Sequence, residues 1–73
     1  MKKITEQVEY DSTLIKSSDY NFVQQELNVT FVNGAIYKYY DVTEIEYQTF
    51  STAESLGKEF SVSIKSKKFD KLN

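Results

Sequence analysis

Between Leu27 and Tyr40 the chain alternates apolar and polar residues, turns at Asn33-Gly34, and alternates again. Leu27, Val29 and Phe31 lead into the turn, and Ile36, Tyr37, Tyr39 and Tyr40 follow it, a pattern that predicts a β-hairpin. A two-residue loop at Asn33-Gly34 would set Lys38 opposite Val29, in the middle of the apolar face. A three-residue loop, Val32-Asn33-Gly34 with Gly34 left-handed, pairs Phe31 with Ala35, Val29 with Tyr37 and Leu27 with Tyr39. Only the second register gives one wholly apolar face and turns Lys38 away from it, so burial selects it. Tyr37 and Tyr39 could be stacking platforms for bases, but in this register they face the helix as core residues. Ile36, Lys38 and Tyr40 share the opposite face, where Lys38 and Tyr40 are the better ligand contacts.

On either side of the hairpin the pattern changes. Residues 1–7 are polar and expected to fray, and the ordered core is expected over about 8–69. Val8, Tyr10, Leu14, Ile15, Tyr20 and Phe22 read as a first strand with a bend at Ser17-Ser18-Asp19. After the hairpin, Thr43 and Glu46 have capping-box spacing, and Val42 and Tyr47 that of a hydrophobic staple. With Gly57 as the left-handed residue past the end, these predict a helix over about 43–56. Tyr47, Phe50 and Ala53 form the stripe assigned to the sheet, while Ile45 and Leu56 fall on another, open to flanking chain or to a partner. Phe60, Val62 and Ile64 alternate as a strand does, yet Phe60 and Ile64 also stand one helical turn apart, with Ser61 as a cap, so both readings stay open. Lys65, Lys67, Lys68 and Lys71 around Phe69 read as a basic tail.

Length and composition narrow the function. Seventy-three residues make one small domain, able to bury roughly 60% of the unfolded chain's surface. Six Tyr and five Phe supply the bulk of a core that has no Cys to staple it. With no His and no paired acidic residues, neither a metal site nor an acid–base pair stands out, and Ser12-Thr13 and Ser17-Ser18 have no visible base partner. No catalytic residue, metal ligand or cofactor is expected. The basic residues are all Lys, and the net charge is −2, unlike a protein committed to nucleic acid. No apolar run has membrane-spanning length, and Glu6, Glu9 and Asp11 interrupt what Met-Lys-Lys-Ile would begin as a signal peptide, so a cytoplasmic protein without a membrane partner is expected.

Tyr37-Lys38-Tyr39, followed by Ala53-Glu54-Ser55-Leu56-Gly57-Lys58-Glu59-Phe60 and by Ile64-Lys65, resembles the KTSC domain. This short module occurs at the C-terminus of some lysyl-tRNA synthetases and in stand-alone bacterial and phage proteins. Its Tyr-x-Tyr and Ala-x-Ser-x-Gly-x-x-Phe motifs both agree, Ser12-Thr13 stands for its opening serine pair and Tyr20 for its next tyrosine. Thr43 replaces a usual proline, Ser61 an asparagine and Lys65 an arginine. The resemblance covers about residues 8–69, favours a helix after Gly57, and implies a non-catalytic binding role for which RNA has been suggested.

The expected fold is α+β: an antiparallel sheet of about three strands, one face covered by the helix and a short C-terminal element. Two functional classes stay open. One is a binding module for RNA or a nucleotide through Lys38, Tyr40, Lys65, Lys67 and Lys68. The other is a homo-oligomeric interaction protein, such as a phage-type accessory or immune-evasion factor sequestering a host protein or small nucleotide, with Ile36, Ile45 and Leu56 at its interface.

Overall fold

The computed structural model describes residues 4–73. Five antiparallel strands stand in chain order across one sheet: β1 (Thr5–Glu9), β2 (Ile15–Asn21), β3 (Glu26–Phe31), β4 (Ile36–Tyr39) and β5 (Phe69–Lys71). Between β4 and β5 the chain forms α1 (Glu44–Ser51) and α2 (Leu56–Glu59), and α2 runs into a π-helical turn over Phe60–Ile64. These helical segments cover one face of the sheet.

The hairpin has the register that burial selects. Leu27 pairs with Tyr39 and Val29 with Tyr37, and Phe31 N–H donates to Ala35 C=O at 2.8 Å. Gly34 closes the loop at φ +94°, a conformation in which an L side chain is strained. Asn33 Oδ1 accepts from Ala35 N–H at 3.0 Å and holds the turn from inside.

The α1 start is also as its residues dictate. Thr43 Oγ1 accepts from Glu46 N–H, Glu46 Oε1 accepts from Thr43 N–H, and Val42 and Tyr47 are both buried. Its end is not. The helix stops at Ser51 with Thr52 as its cap, well short of the expected residue 56. Gly57 lies inside α2 and not in a left-handed cap; a Cβ there would come 3.3 Å from Leu14 Cδ2, so the glycine serves a close approach of the β1–β2 loop. Leu56 thereby leaves the stripe it was assigned with Ile45: it sits on a different helix and packs partly buried on the core, while Ile45 is exposed.

Three further expectations are corrected. The single first strand is two, β1 and β2, turning through residues 10–14; Ser17-Ser18-Asp19 lies mid-strand, next to a bulge between Ile15 and Ser17. Thr5 to Gln7, expected to fray, belong to β1, and residues 1–3 lie outside the described part. The lysine-rich end is no tail: Lys65, Lys67 and Lys68 lie in the turn that leads into strand β5, which holds Lys71, so the sheet has five strands rather than about three. The ambiguity after Gly57 resolves as helix. Lys65 N–H bonds Phe60 C=O at 2.9 Å, a π-type closure, and Phe60 and Ile64 are buried with Val62 outside. Ser55, not Ser61, supplies the cap; Ser61 Oγ donates back to Gly57 C=O.

The core lies between the sheet and the helices, from Ile15, Tyr20, Leu27, Val29 and Tyr39 on the strands to Val42, Tyr47, Phe50, Phe60 and Ile64. No helix among the described residues is long and apolar enough to cross a membrane.

Candidate functional site

Ten of the eleven aromatic residues fall into two groups of five, and Tyr40 stands apart from both. Tyr10, Tyr20, Phe22, Tyr47 and Phe50 gather under α1, with Tyr20 stacked on Tyr47 at 4.3 Å between centroids. Every hydroxyl in this group is engaged. Tyr20 donates to Val42 C=O, Tyr47 to Glu6 Oε2 at 2.5 Å, and Tyr10 shares a 2.7 Å bond with Ser18 Oγ. Burial pushes the Tyr20, Tyr47 and Tyr10 phenols above their ordinary range, and the carboxylate of Glu6 adds to it for Tyr47.

The second group is built differently. Phe31, Tyr37, Tyr39, Phe60 and Phe69 surround a pocket of about 370 Å³, completed by Asn33, Ala35 and Lys65. β3 supplies Phe31, β4 the two tyrosines, the π-helical turn Phe60 and Lys65, and β5 Phe69. Phe69 is 50% exposed and leans on Tyr37 and Tyr39 at 5.4 and 5.8 Å. Phe60 meets Tyr39 edge-on at 5.5 Å, and Phe31 meets both Tyr37 and Phe60 edge-on. Neither Tyr37 nor Tyr39 makes a hydroxyl hydrogen bond among the described residues, and the one buried side-chain polar atom without a partner there is Asn28 Oδ1. Both hydroxyls therefore reach solvent, although the Tyr39 residue is only 4% exposed. Burial raises the Tyr39 phenol's pKa, with Tyr37 adding to it.

The lysines sort by partner. Lys38 lies on the other face of the sheet, where its Nζ is 3.4 Å from Glu26 Oε1 and its cross-strand neighbour is Asp70. Around it Thr5, Asp19, Asn21, Gln24, Glu26 and Asn28 make that face polar, with Ile36 half-buried beyond them. Lys67 is held at 3.0 Å from Glu46 Oε1 and donates to Asp41 C=O at 2.9 Å. Lys68 Nζ lies 5.7 Å over the Tyr40 ring, and Tyr40 donates its hydroxyl to Asp70 Oδ2 at 2.5 Å. That bond raises the Tyr40 phenol's pKa. Lys65 and Lys71 have no ion-pair partner among the described residues. Lys65 lines the aromatic pocket, and Lys71 pairs across the sheet with Tyr37, on the pocket's face and two residues from Phe69.

The predicted ligand residues are thus split. Lys38 and Tyr40 are engaged with Glu26 and Asp70, Lys67 with α1, and Lys68 with Tyr40; Lys65 alone of the five lines the aromatic pocket. Phe69 was missed as a site residue because the segment read as a tail, and Lys71, grouped there with the lysines that could hold phosphates, was not placed on the aromatic face. Their alternation with Tyr37 and Tyr39 becomes visible only once β5 is known to pair with β4. Ile36, Ile45 and Leu56 do not converge: the first is on the polar face of the sheet, the second is exposed on α1, and the third packs on the core from α2. Among the described residues no three His, Cys, Asp or Glu side chains cluster as metal ligands would.

The KTSC domain family model matches residues 11–69. Among solved structures, the crystal structure of a KTSC domain protein from Yersinia pestis superposes with a TM-score of 0.85 at 28% identity, covering 94% of this chain and 99% of that one. No curated protein matches the sequence.

Proposed function

Since the chain belongs to the KTSC domain family, we propose that it is a non-catalytic binding module that takes single-stranded RNA on the surface formed by β4, β5 and the π-helical turn. The observation that carries this reading is the pairing of two uncommitted lysines, Lys65 and Lys71, with an open aromatic pocket on one face. Cations without internal partners hold phosphates at no cost in existing ion pairs, whereas Lys38 and Lys67 would first have to leave Glu26 and Glu46. Aromatic side chains on a sheet surface are the usual platform for unpaired bases. The net charge of −2 keeps long-range attraction small, so affinity is modest and contact-dependent.

Fluorescence anisotropy of a labelled single-stranded RNA, titrated with protein at several salt concentrations, tests it. Two neutralised phosphates give a slope of about −1.4 in log K against log salt, since each contributes about −0.7 on a single strand. The double substitution Lys65→Ala, Lys71→Ala flattens that slope. An anisotropy unchanged at low salt and high protein concentration ends the proposal. The oligomeric alternative is the less supported reading, since Ile45 and Leu56 lie on different helices, Leu56 partly buried on the core, and the second sheet face is largely polar.

A further inference from the structure

The phosphate contacts use only the rim of the surface, and the pocket behind them has a chemistry of its own. Its volume of about 370 Å³ sits at the small end of the range for small-molecule sites. Five of its eight lining residues are aromatic. Around them stand hydrogen-bonding groups without a partner among the described residues: the hydroxyls of Tyr37 and Tyr39, and the Asn33 amide NH₂, since Asn33 accepts from Ala35 only through Oδ1. Polar groups left free at the edge of an aromatic slot are what a purely packing role would not need. In the other aromatic group all three hydroxyls are spent within the fold.

We infer that this pocket receives one unstacked nucleobase, seated against Phe69, Tyr37 and Tyr39, with the attached phosphate at Lys65. The inference rests on the RNA reading above for its most direct source, and the same chemistry fits a free nucleoside monophosphate. A base has π-faces for the ring walls and a polar edge for the hydroxyls and amide, and its phosphate complements Lys65 in the pocket lining. An aliphatic ligand would leave the polar edge unpaired, and an aromatic ligand without an anion would leave Lys65 unused. Phe69 is the wall to change. It is half-exposed on the edge strand, so its replacement leaves the buried core in place.

Three probes separate the possibilities: a single-stranded oligouridylate, an abasic ribose-phosphate oligomer of equal length, and uridine monophosphate. Affinity is read by anisotropy for the labelled oligomers, and site by NMR shifts of the Phe69, Tyr37 and Phe31 rings. The expected result is oligouridylate binding roughly tenfold or more tighter than the abasic oligomer, with shifts confined to the pocket. Phe69→Ala abolishes that preference. Phe69→Leu, which keeps apolar bulk on β5, abolishes it as well if the ring face is what holds the base. Equal affinity for the two oligomers overturns the base slot and leaves RNA binding through phosphate intact. If neither oligomer binds but uridine monophosphate shifts the pocket resonances, the slot stands with a free nucleotide as its source, and the RNA reading falls. If all three are silent, both fall.

Discussion

Two aromatic clusters of five residues each lie within this one small fold, Phe50 touching Phe60 at 6.4 Å between them. The cluster under α1 is finished: its rings stack closely, and each hydroxyl has a partner in the chain. The cluster against β5 is unfinished, with a half-exposed wall, a pocket, and hydroxyls that find no partner among the described residues. The residue types are the same. What separates a core from a candidate site here is whether the polar ends of the rings are consumed by the fold.

The largest effect expected from this difference is on stability. Phe50→Ala removes a fully buried ring and costs about 3–5 kcal/mol, close to the whole stability of a domain this small. Phe69→Ala costs under about 1 kcal/mol because the ring is half in water already. Chemical denaturation of both variants checks the contrast, and equal losses would break it.

Single oxygens come next. Tyr20→Phe strands the buried Val42 carbonyl and costs about 1–3 kcal/mol, whereas Tyr39→Phe, whose hydroxyl has no partner to strand among the described residues, stays within about 0.5 kcal/mol. A Tyr39→Phe variant as damaged as Tyr20→Phe would mean that its hydroxyl is not free.

The region around α1 answers to both ends of the pH scale. Below about pH 10 the tyrosines are neutral in both folded and unfolded chains and contribute no pH dependence. As pH rises further the unfolded chain ionises first, because burial holds Tyr20 and Tyr47 protonated in the fold, so stability falls on the alkaline side. Thermal melts between pH 8 and 11, with phenolate absorbance followed in parallel, should show late ionisation coincident with unfolding.

On the acid side a smaller effect belongs to Glu46. The Thr43 N–H bond, then the Lys67 contact, lower its pKa, so its contribution is present above the unfolded carboxyl pKa and is lost as pH falls through the folded one. Glu46→Gln removes the dependence. The loss remains small, since the pair is partly exposed and solvent-screened.

Each cluster was legible where its signal is local in sequence. Thr43, Glu46, Val42 and Tyr47 carry the start of α1 in local spacing, and the Phe31–Tyr39 register follows from keeping Lys38 off an apolar face. What stayed hidden depended on partners distant in sequence. Asp11 to Leu14 holds no glycine or proline to mark the turn between β1 and β2. Gly57 has a recognised helix-ending role, and only the approach of Leu14 shows that it serves packing instead. Phe69, Asp70 and Lys71 form a strand because β4 offers an open edge, and nothing in three such residues announces it. The site was obscured with them, since its outer wall is β5.

That wall has a dynamic consequence. β5 is three residues long and lies at the sheet edge, tied to β4 and steadied by Leu72 N–H on Ile36 C=O and by Asn73 bridging Ile36 N–H and Gly34 C=O. A short outer strand with exposed hydrogen bonds is where a protein opens first, well below the free energy of global unfolding. Amide hydrogens donated between β4 and β5 should therefore exchange sooner than those between β2 and β3. A ligand gripping Phe69 binds only the docked strand and slows that exchange in proportion to its occupancy. The strand's breathing thus becomes a clock that reports how often the pocket is filled.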